Sequence, residues 1–306
     1  MITPHEISLA QHCIRHAVSS GASAARVSLN KTVTDSYTIL NGELDKVSHS
    51  ADRSIYIYLF VDGRYGTFST NRLEQSELEE FVVKAIEMVR MLGEDYCRRL
   101  PDPERTAKDA ITGRELGLFD DRYYSLDSEE RLSCAMKLSK YTSIIQREEG
   151  FRLISEECEY SESVDDNFVI DSQGFEGRHT ETMFYCFAEM TIKAPDGNKY
   201  SGFWWENSPF YDKLGIDTIS SKALERAVSQ IGPKKRKGGH YRMVVDSTVS
   251  TRLVSPIFSA LNASAIQQKM SFLEGKVGEK VFSDGMTLMD LARTPGMSGS
   301  RLYDTE

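Results

Sequence analysis

Two dipeptides constrain this chain more than any other feature. Asn41-Gly42 lies between Tyr37-Thr38-Ile39-Leu40 and a run from Glu43 to His49. Asp62-Gly63 lies between Ser54-Ile55-Tyr56-Ile57-Tyr58-Leu59-Phe60 and Tyr65-Gly66-Thr67-Phe68. A two-residue hairpin needs positive φ at its centre, which Asn-Gly and Asp-Gly accept at little cost. Both sites therefore predict tight hairpins. With Arg26-Val27-Ser28-Leu29 ahead of them, the strands read as an antiparallel meander.

Helical signals bracket the meander. Thr3 fits an N-cap, Pro4 fits the first helical position, and Glu6 completes a capping box. Ile7, Ala10, Ile14 and Ala17 then form one apolar face, and Gly21 is a natural stop. Ser76 and Glu79 predict a second capping box, ahead of the stripe Leu78, Phe81, Val82, Ala85, Ile86 and Val89. Helices on one side of an antiparallel sheet make an α+β domain, placed at 1–98. Residues 99–121 contain Pro101, Pro103 and several charges and read as a linker.

A third helix is expected near Asp127, with Glu130 at N3 and Leu132, Ala135 and Met136 inward. A second β-rich block runs from about Phe151 to Phe210, with turns at Asp171-Ser172-Gln173-Gly174 and Pro195-Asp196-Gly197. Thr182 to Ile192 can pair with Lys199 to Glu206. A helix over about Thr218 to Ile231, stopped by Gly232-Pro233, completes a central domain at 122–232. The basic run Lys234-Lys235-Arg236-Lys237 and Gly238-Gly239 then lead to an expected strand, Tyr241-Arg242-Met243-Val244-Val245. Beyond Asp246 the pattern is helical, interrupted by Pro256, so 233–306 opens a third domain. There is no internal repeat and no low-complexity tract.

Composition bounds the function. The 306 residues are 40% hydrophobic and 27% charged, as in an ordinary soluble globular protein. Against 37 Lys and Arg stand 46 Asp and Glu, a net charge of −9. That balance argues against general affinity for nucleic acid or for an anionic membrane. No apolar run approaches the ~20 residues that span a bilayer, and the first residues do not resemble a signal peptide. The five cysteines are scattered without a CxxC pair and read as reduced thiols of a cytoplasmic protein.

Candidate chemistry is sparse. His12 and His16 share the i, i+4 spacing of a metal pair, but no glutamate lies between them and both leave the apolar face, so a solvated face is the better reading. The acidic doublets Glu129-Glu130, Glu148-Glu149, Glu156-Glu157 and Asp165-Asp166 read as solvent-facing charge. There is no G-x-S-x-G elbow, P-loop or G-x-G-x-x-G. Gly296-Met297-Ser298-Gly299-Ser300 reads as a flexible loop, and the Lys234–Lys237 run as a solvated connector. Trp204-Trp205 must straddle both faces of an extended strand, which favours packing over binding. The residues alone indicate a multidomain α+β protein without a recognisable catalytic group.

Three stretches carry a resemblance. They are Asn41 to Val47 leading to Val61-Asp62-Gly63-Arg64-Tyr65-Gly66-Thr67-Phe68-Ser69-Thr70, then Asp171 to Gly174, and then Ser271-Phe272-Leu273-Glu274-Gly275-Lys276-Val277-Gly278-Glu279-Lys280-Val281 running on to Asp304-Thr305-Glu306. In order and spacing they resemble the TldD/PmbA family, also called modulator of DNA gyrase. The resemblance implies a multidomain TldD/PmbA-like architecture whose C-terminal domain is cut short at Glu306. It also implies one of two kinds of subunit. TldD-type subunits are zinc peptidases with His-Glu-x-x-x-His on a helix just before the Ser271-like motif; PmbA-type (TldE) subunits lack those ligands and pair with them. Between Ser247 and Leu273 there is no His, Asp, Glu or Cys. Zinc needs such donors, so the chain resembles the PmbA type.

The expectation is then a non-catalytic subunit that binds extended, unfolded peptides, with zinc only in a TldD-type partner and no cofactor of its own. Assembly with that partner or as a homodimer is implied, and strand addition at a sheet edge is a reasonable means of peptide capture. Ser271, Phe272, Leu273 and Gly278 are motif positions expected at an interface or peptide cavity. Two alternatives stay open: a metal-dependent peptidase with an unrecognised site around the second β block, which stoichiometric zinc lost on mutating His12 or His240 would reveal, and a protein-binding modulator of DNA gyrase.

Overall fold

The computed structural model describes residues 1–142 and 150–303. The doublet Glu148-Glu149 and the motif end Asp304-Thr305-Glu306 lie outside the described residues.

Both predicted hairpins form. Asn41 and Gly42 take φ of 53° and 86°, and Asp62 and Gly63 take 49° and 73°. They join β1 (Ala24–Leu40), β2 (Glu43–Val61) and β3 (Arg64–Thr70). The strands are longer than their side-chain pattern suggests. Apart from Val33 and Ala51, residues 31–36 and 48–53 are polar on both faces, yet β1 and β2 pair from Ala24↔Phe60 to Leu40↔Glu43 with one shift, at Thr38/Ile39. Both neighbouring strands of β1 are in place along this span, whereas residues 48–53 of β2 pair with β1 alone.

The second neighbour of β1 is β4 (Arg152–Asp171), which pairs with it from Arg26↔Asp171 to Leu40↔Glu157. Next come β5 (Glu176–Lys193) and β6 (Lys199–Ser208), paired as expected. The result is one antiparallel sheet of order β3-β2-β1-β4-β5-β6. The expected domains at 1–98 and 122–232 therefore share a continuous sheet. Met1–Gly232 and Leu291–Glu306 form one compact unit, and Pro233–Asp290 form another.

One face of the sheet is covered. Odd residues of β1 and even residues of β4 and β5, such as Val27, Ile39, Tyr160, Phe184 and Met190, are fully buried. Four helices lie on this face: α1 (Pro4–Ser19), α2 (Gln75–Arg90), α3 (Ser128–Leu138) and α4 (Ile219–Val228). The Thr3/Glu6 capping box of α1 forms as predicted, and Asp127 accepts from the Glu130 N–H to cap α3. The Ser76/Glu79 box of α2 does not form. Helix α2 begins at Gln75, and Glu79 instead accepts from Gln75 and meets His12. In α3 the buried set is Cys134, Ala135 and Leu138, while Met136, expected inward, is exposed.

The 99–121 segment is no free linker. Leu100, Ala107, Ala110, Leu116 and Leu118 are buried. The N–H groups of Arg178, Thr180 and Thr182 donate to the carbonyls of Ala110, Gly113 and Leu118 at 2.8, 2.8 and 3.1 Å. The segment thus straps the edge of β5 just where β6 stops pairing, at Phe184↔Ser208. Prolines and charges signal an irregular path, but the spaced apolar residues were the sign that this path is packed.

In the second unit, residues 241–245 are not a strand. Tyr241, Met243 and Val244 are exposed, and no described strand pairs with them. Helix α5 (Ser247–Leu261), capped by Asp246, runs through Pro256 rather than stopping there, and α6 (Ala263–Gln267) follows.

Candidate functional site

Within the first unit, α1 to α4 leave uncovered the opposite face of the sheet, built from even residues of β1 and odd residues of β4 and β5, which at Val169 packs instead against the 107–118 segment, Leu302 and Tyr303. The two-residue side-chain period explains why acidic doublets do not behave as uniform solvent charge. Glu157 and Asp165 reach the open face, but Glu156 and Asp166 turn under the helices and are buried. Glu156 accepts from the backbone N–H groups of Lys140, Tyr141 and Thr142 and from the Ser139 and Thr142 hydroxyls, closing the chain after α3. Asp166 receives Arg178 through two bonds of 3.0 and 2.7 Å and the Ile2 N–H at 2.7 Å. The expectation that both members of each strand doublet face solvent is therefore corrected.

One end of the open face is polar. Asn30, Asn167 and His179 form one cross-strand row, and Thr32, Asp165 and Glu181 form the next. Together with Arg301 they line a cavity of about 330 Å³. Thr32 donates to Asp165 at 2.5 Å, and Tyr303 donates to Asn167 Oδ1 at 2.8 Å. Arg301 clasps Glu181 with bonds of 2.7 and 3.1 Å. The buried His179 Nε2 lies 3.6 Å from Glu181 Oε2, beyond hydrogen-bond reach. The 296–300 loop, expected to be free, is tied down here: the Gly296 N–H donates to Leu116 O at 2.7 Å, and Ser300 is buried.

Burial alone would raise the Glu181 pKa, but His179 and Arg301 outweigh it and hold the carboxyl down to about 2. A carboxylate depressed on folding contributes stability that is full above its unfolded pKa, near 4.5, and is lost as pH falls toward 2. Arg301→Ala is expected to cost about 1.5–3 kcal/mol at pH 7. The gap between variant and parent should narrow between pH 4.5 and pH 2. Urea denaturation at pH 7, 4 and 3 checks this; a gap that is constant with pH would show that the clasp is not ionic.

The other end of the face is aromatic. Trp204 and Trp205 do divide between the two faces. Trp204 packs toward α4 under Lys222 Nζ, 4.6 Å from its ring centroid, and the Arg226 guanidinium at 5.0 Å. Trp205 joins Phe203, Phe187 and Tyr185 on the open face.

The remaining candidates are not brought into this site. His12 is half-buried between α1 and α2, with Nε2 2.7 Å from Glu79 and its ring stacked on His16, so it is a helix–helix contact rather than a solvated face. All five cysteines are free thiols, and burial pushes Cys13 and Cys158 up to about 12. Among the described residues no three His, Cys, Asp or Glu side chains gather as a metal site. Among the described residues no helix is long and apolar enough to cross a membrane.

In the second unit, Ser271 Oγ donates to Ala260 O at 2.6 Å and accepts from the Leu273 N–H at 3.0 Å. Ser271 and Leu273 are buried and pin the loop to the end of α5, Phe272 is 68% exposed, and Gly278 holds φ of 82° in an open turn. Of these four motif positions, only Phe272 offers an apolar side chain for contact. Helix α5 buries only Ala260 and exposes Val249, Leu253, Phe258 and Leu261. Its serine, threonine and apolar side chains offer no donor set that suits zinc.

Residues 25–89, 121–231 and 238–306 match, in chain order, domain 1, the central domain and the C-terminal domain of the PmbA/TldA metallopeptidases. The chain belongs to the PmbA/TldD family. The crystal structure of a candidate modulator of DNA gyrase from Bacteroides thetaiotaomicron superposes with a TM-score of 0.90 at 36% identity, covering 99% of this chain and 68% of that one. TldE from Thermococcus kodakarensis superposes with a TM-score of 0.60 at 16% identity over 89% of this chain and 59% of that one, a likeness of fold. A metalloprotease PmbA homologue from Buchnera aphidicola is 19% identical over 99% of this chain and 66% of its own length. The chain thus spans about two thirds of the length of the relatives it matches best in extent. The family's α+β architecture, the fold class expected from the sequence, is the one observed.

Proposed function

We propose that this chain is a non-catalytic, PmbA-type subunit of a peptidase assembly, and that it helps a zinc-bearing TldD-type partner to hold extended, unfolded peptides. The observation that carries this reading is the absence of any zinc donor from residues 247–273, inside the stretch that matches the family's C-terminal domain. Zinc and an activated water require imidazole, thiolate or carboxylate ligands and a base. The open face supports a binding role: it is rich in hydrogen-bonding and aromatic side chains.

Co-expression with a family member carrying His-Glu-x-x-x-His tests the reading. The expected result is a stable complex with zinc and peptidase activity residing in the partner, and substoichiometric zinc in this chain alone. Stoichiometric zinc together with peptidase activity in the isolated chain would overturn it and favour an independent metallopeptidase, the activity named for the Buchnera relative.

A further inference from the structure

We propose that the aromatic end of the open face, between β4, β5 and β6, binds the lysine and arginine side chains of an extended peptide. This rests on the reading of the chain as a peptide-holding subunit and specifies which peptides it holds.

Tyr185 and Phe187 alternate on β5, and Phe203 and Trp205 alternate on β6. Their rings follow one another as a near-parallel strip. Centroids are 6.4 Å apart from Tyr185 to Phe187, 6.2 Å from Phe187 to Phe203 and 5.9 Å from Phe203 to Trp205, with interplanar angles of 12°, 30° and 27°. Phe203 is 49% exposed. Alternate side chains of an extended peptide repeat every ~6.6–6.8 Å, close to this ring spacing.

Carboxylates flank the strip on the same face. Glu159 lies directly across from Phe187, and Glu157 lies directly across from Glu189, whose other neighbour is Phe203. The charge of Glu159 is close enough to help raise the Tyr185 phenol, after burial. Like charges directly opposite each other in a sheet are unfavourable, and a cation placed between them relieves that cost. A row of cations, Arg152, Lys193 and Lys199, lies two rows beyond Glu157 and Glu189 and bounds the acidic strip on that side.

The rest of the molecule shows how it treats such groups. Five aromatic rings elsewhere carry one of its own cations: Phe119 has Arg114, Tyr211 has Arg122, Phe210 has Lys213, Tyr65 has Arg98, and Trp204 has Lys222 and Arg226. Two buried carboxylates elsewhere have cations: Glu162 has Arg131 and Asp166 has Arg178. Among the described residues the strip has no cation over any ring, and Glu157, Glu159 and Glu189 have no ion pair. A cationic side chain over an aromatic face beside a carboxylate gains both cation–π attraction and charge pairing. The net charge of −9 adds long-range attraction for basic peptides.

The test uses the full chain alone and three fluorescently labelled nonapeptides, with lysine, norleucine or glutamate alternating with serine. Anisotropy titrations at low and physiological salt should show the lysine peptide binding at least tenfold tighter than the other two, with affinity falling as salt rises. Glu159→Gln/Glu189→Gln, which keeps side-chain shape, should remove most of that preference, and Phe203→Ala should weaken all binding of the lysine peptide at least tenfold. Circular dichroism melts establish that each variant is folded. Equal binding of the three peptides, no binding of any, or an unchanged lysine preference in the double glutamine variant would overturn the proposal. So would a homodimer in sedimentation that the double variant abolishes, since the face would then serve a second copy. Because no partner or peptidase readout enters, failure here leaves the subunit reading standing. Failure of the co-expression test would sink that reading without changing these titrations.

Discussion

Replacing Arg131 with alanine is expected to destabilise the protein by about 3–5 kcal/mol, the cost of stranding a buried charge. Arg131, on α3, donates through Nε and Nη2 to Glu162 Oε1 at 2.9 and 2.6 Å. Tyr160 donates to the other carboxylate oxygen at 2.5 Å. Glu162 is 1% exposed, on the helix-covered face of β4. Its carboxylate is out of water and depends on these donors. Removing the arginine leaves one hydroxyl for a whole charge. The loss should therefore come mainly from Glu162 and not from the packing of the arginine stem. Arg131→Ala/Glu162→Gln should recover more than half of the single-variant loss, because the amide is neutral. Urea denaturation of the parent, both single variants and the double variant checks this as a double-mutant cycle. A cost below about 1 kcal/mol for Arg131→Ala would mean that water reaches Glu162 and that its charge is not desolvated.

That pair also marks the boundary between what sequence shows and what it does not. The turns at Asn41-Gly42 and Asp62-Gly63 and the caps at Thr3 and Asp127 are local events, decided by residues within a few positions of one another, and they are where the sequence places them. The pairing of β1 with β4 joins Asn30 to Asn167 and Arg26 to Asp171 across a segment with no repeating signal. No local preference encodes such a register, so the single sheet that runs through the first and central domains is not legible in the sequence. The acidic doublets were readable in part. Period-2 alternation requires one member of each strand doublet to face the helices once a covered face exists, and Glu156 and Asp166 do. Which member turns inward depends on which face α1 to α4 occupy. The Trp204-Trp205 split follows from the same alternation and was legible. The open face itself was not, because Glu159, Phe187 and Trp205 come from three strands and meet only through β-sheet register. The Ser271 to Gly278 motif was visible through the family resemblance, whereas the pinning role of Ser271 needed the Ala260 carbonyl in place.

Substituting Gly202 should have the other large effect, and its sign runs against intrinsic preference. Glycine is a poor strand residue, so alanine or valine in a strand ordinarily gains stability. At Gly202 of β6 an added Cβ would lie 2.2 Å from Ala227 N, 2.4 Å from Ala223 O and 2.7 Å from the Arg226 carbonyl carbon. All three are backbone atoms of α4, which cannot rotate away as a side chain would. The absent side chain is what allows the helix to lie directly on the strand, with Ala223 and Ala227 fully buried beneath it. Gly202→Ala is expected to cost about 1–3 kcal/mol, the range for overpacking a filled core, and Gly202→Val more than that. The helix must lift or β6 must shift, and either movement separates Lys222 and Arg226 from Trp204. Tryptophan fluorescence should therefore change in the folded variant as well as reporting a lower urea midpoint. Ser201→Ala, next to it on the exposed side of β6, serves as the control and should fall within about 0.5 kcal/mol of the parent. A Gly202→Val chain with the parent's midpoint and spectrum would show that α4 is not seated on the β6 backbone, and the covered face at β6 would then need a different account.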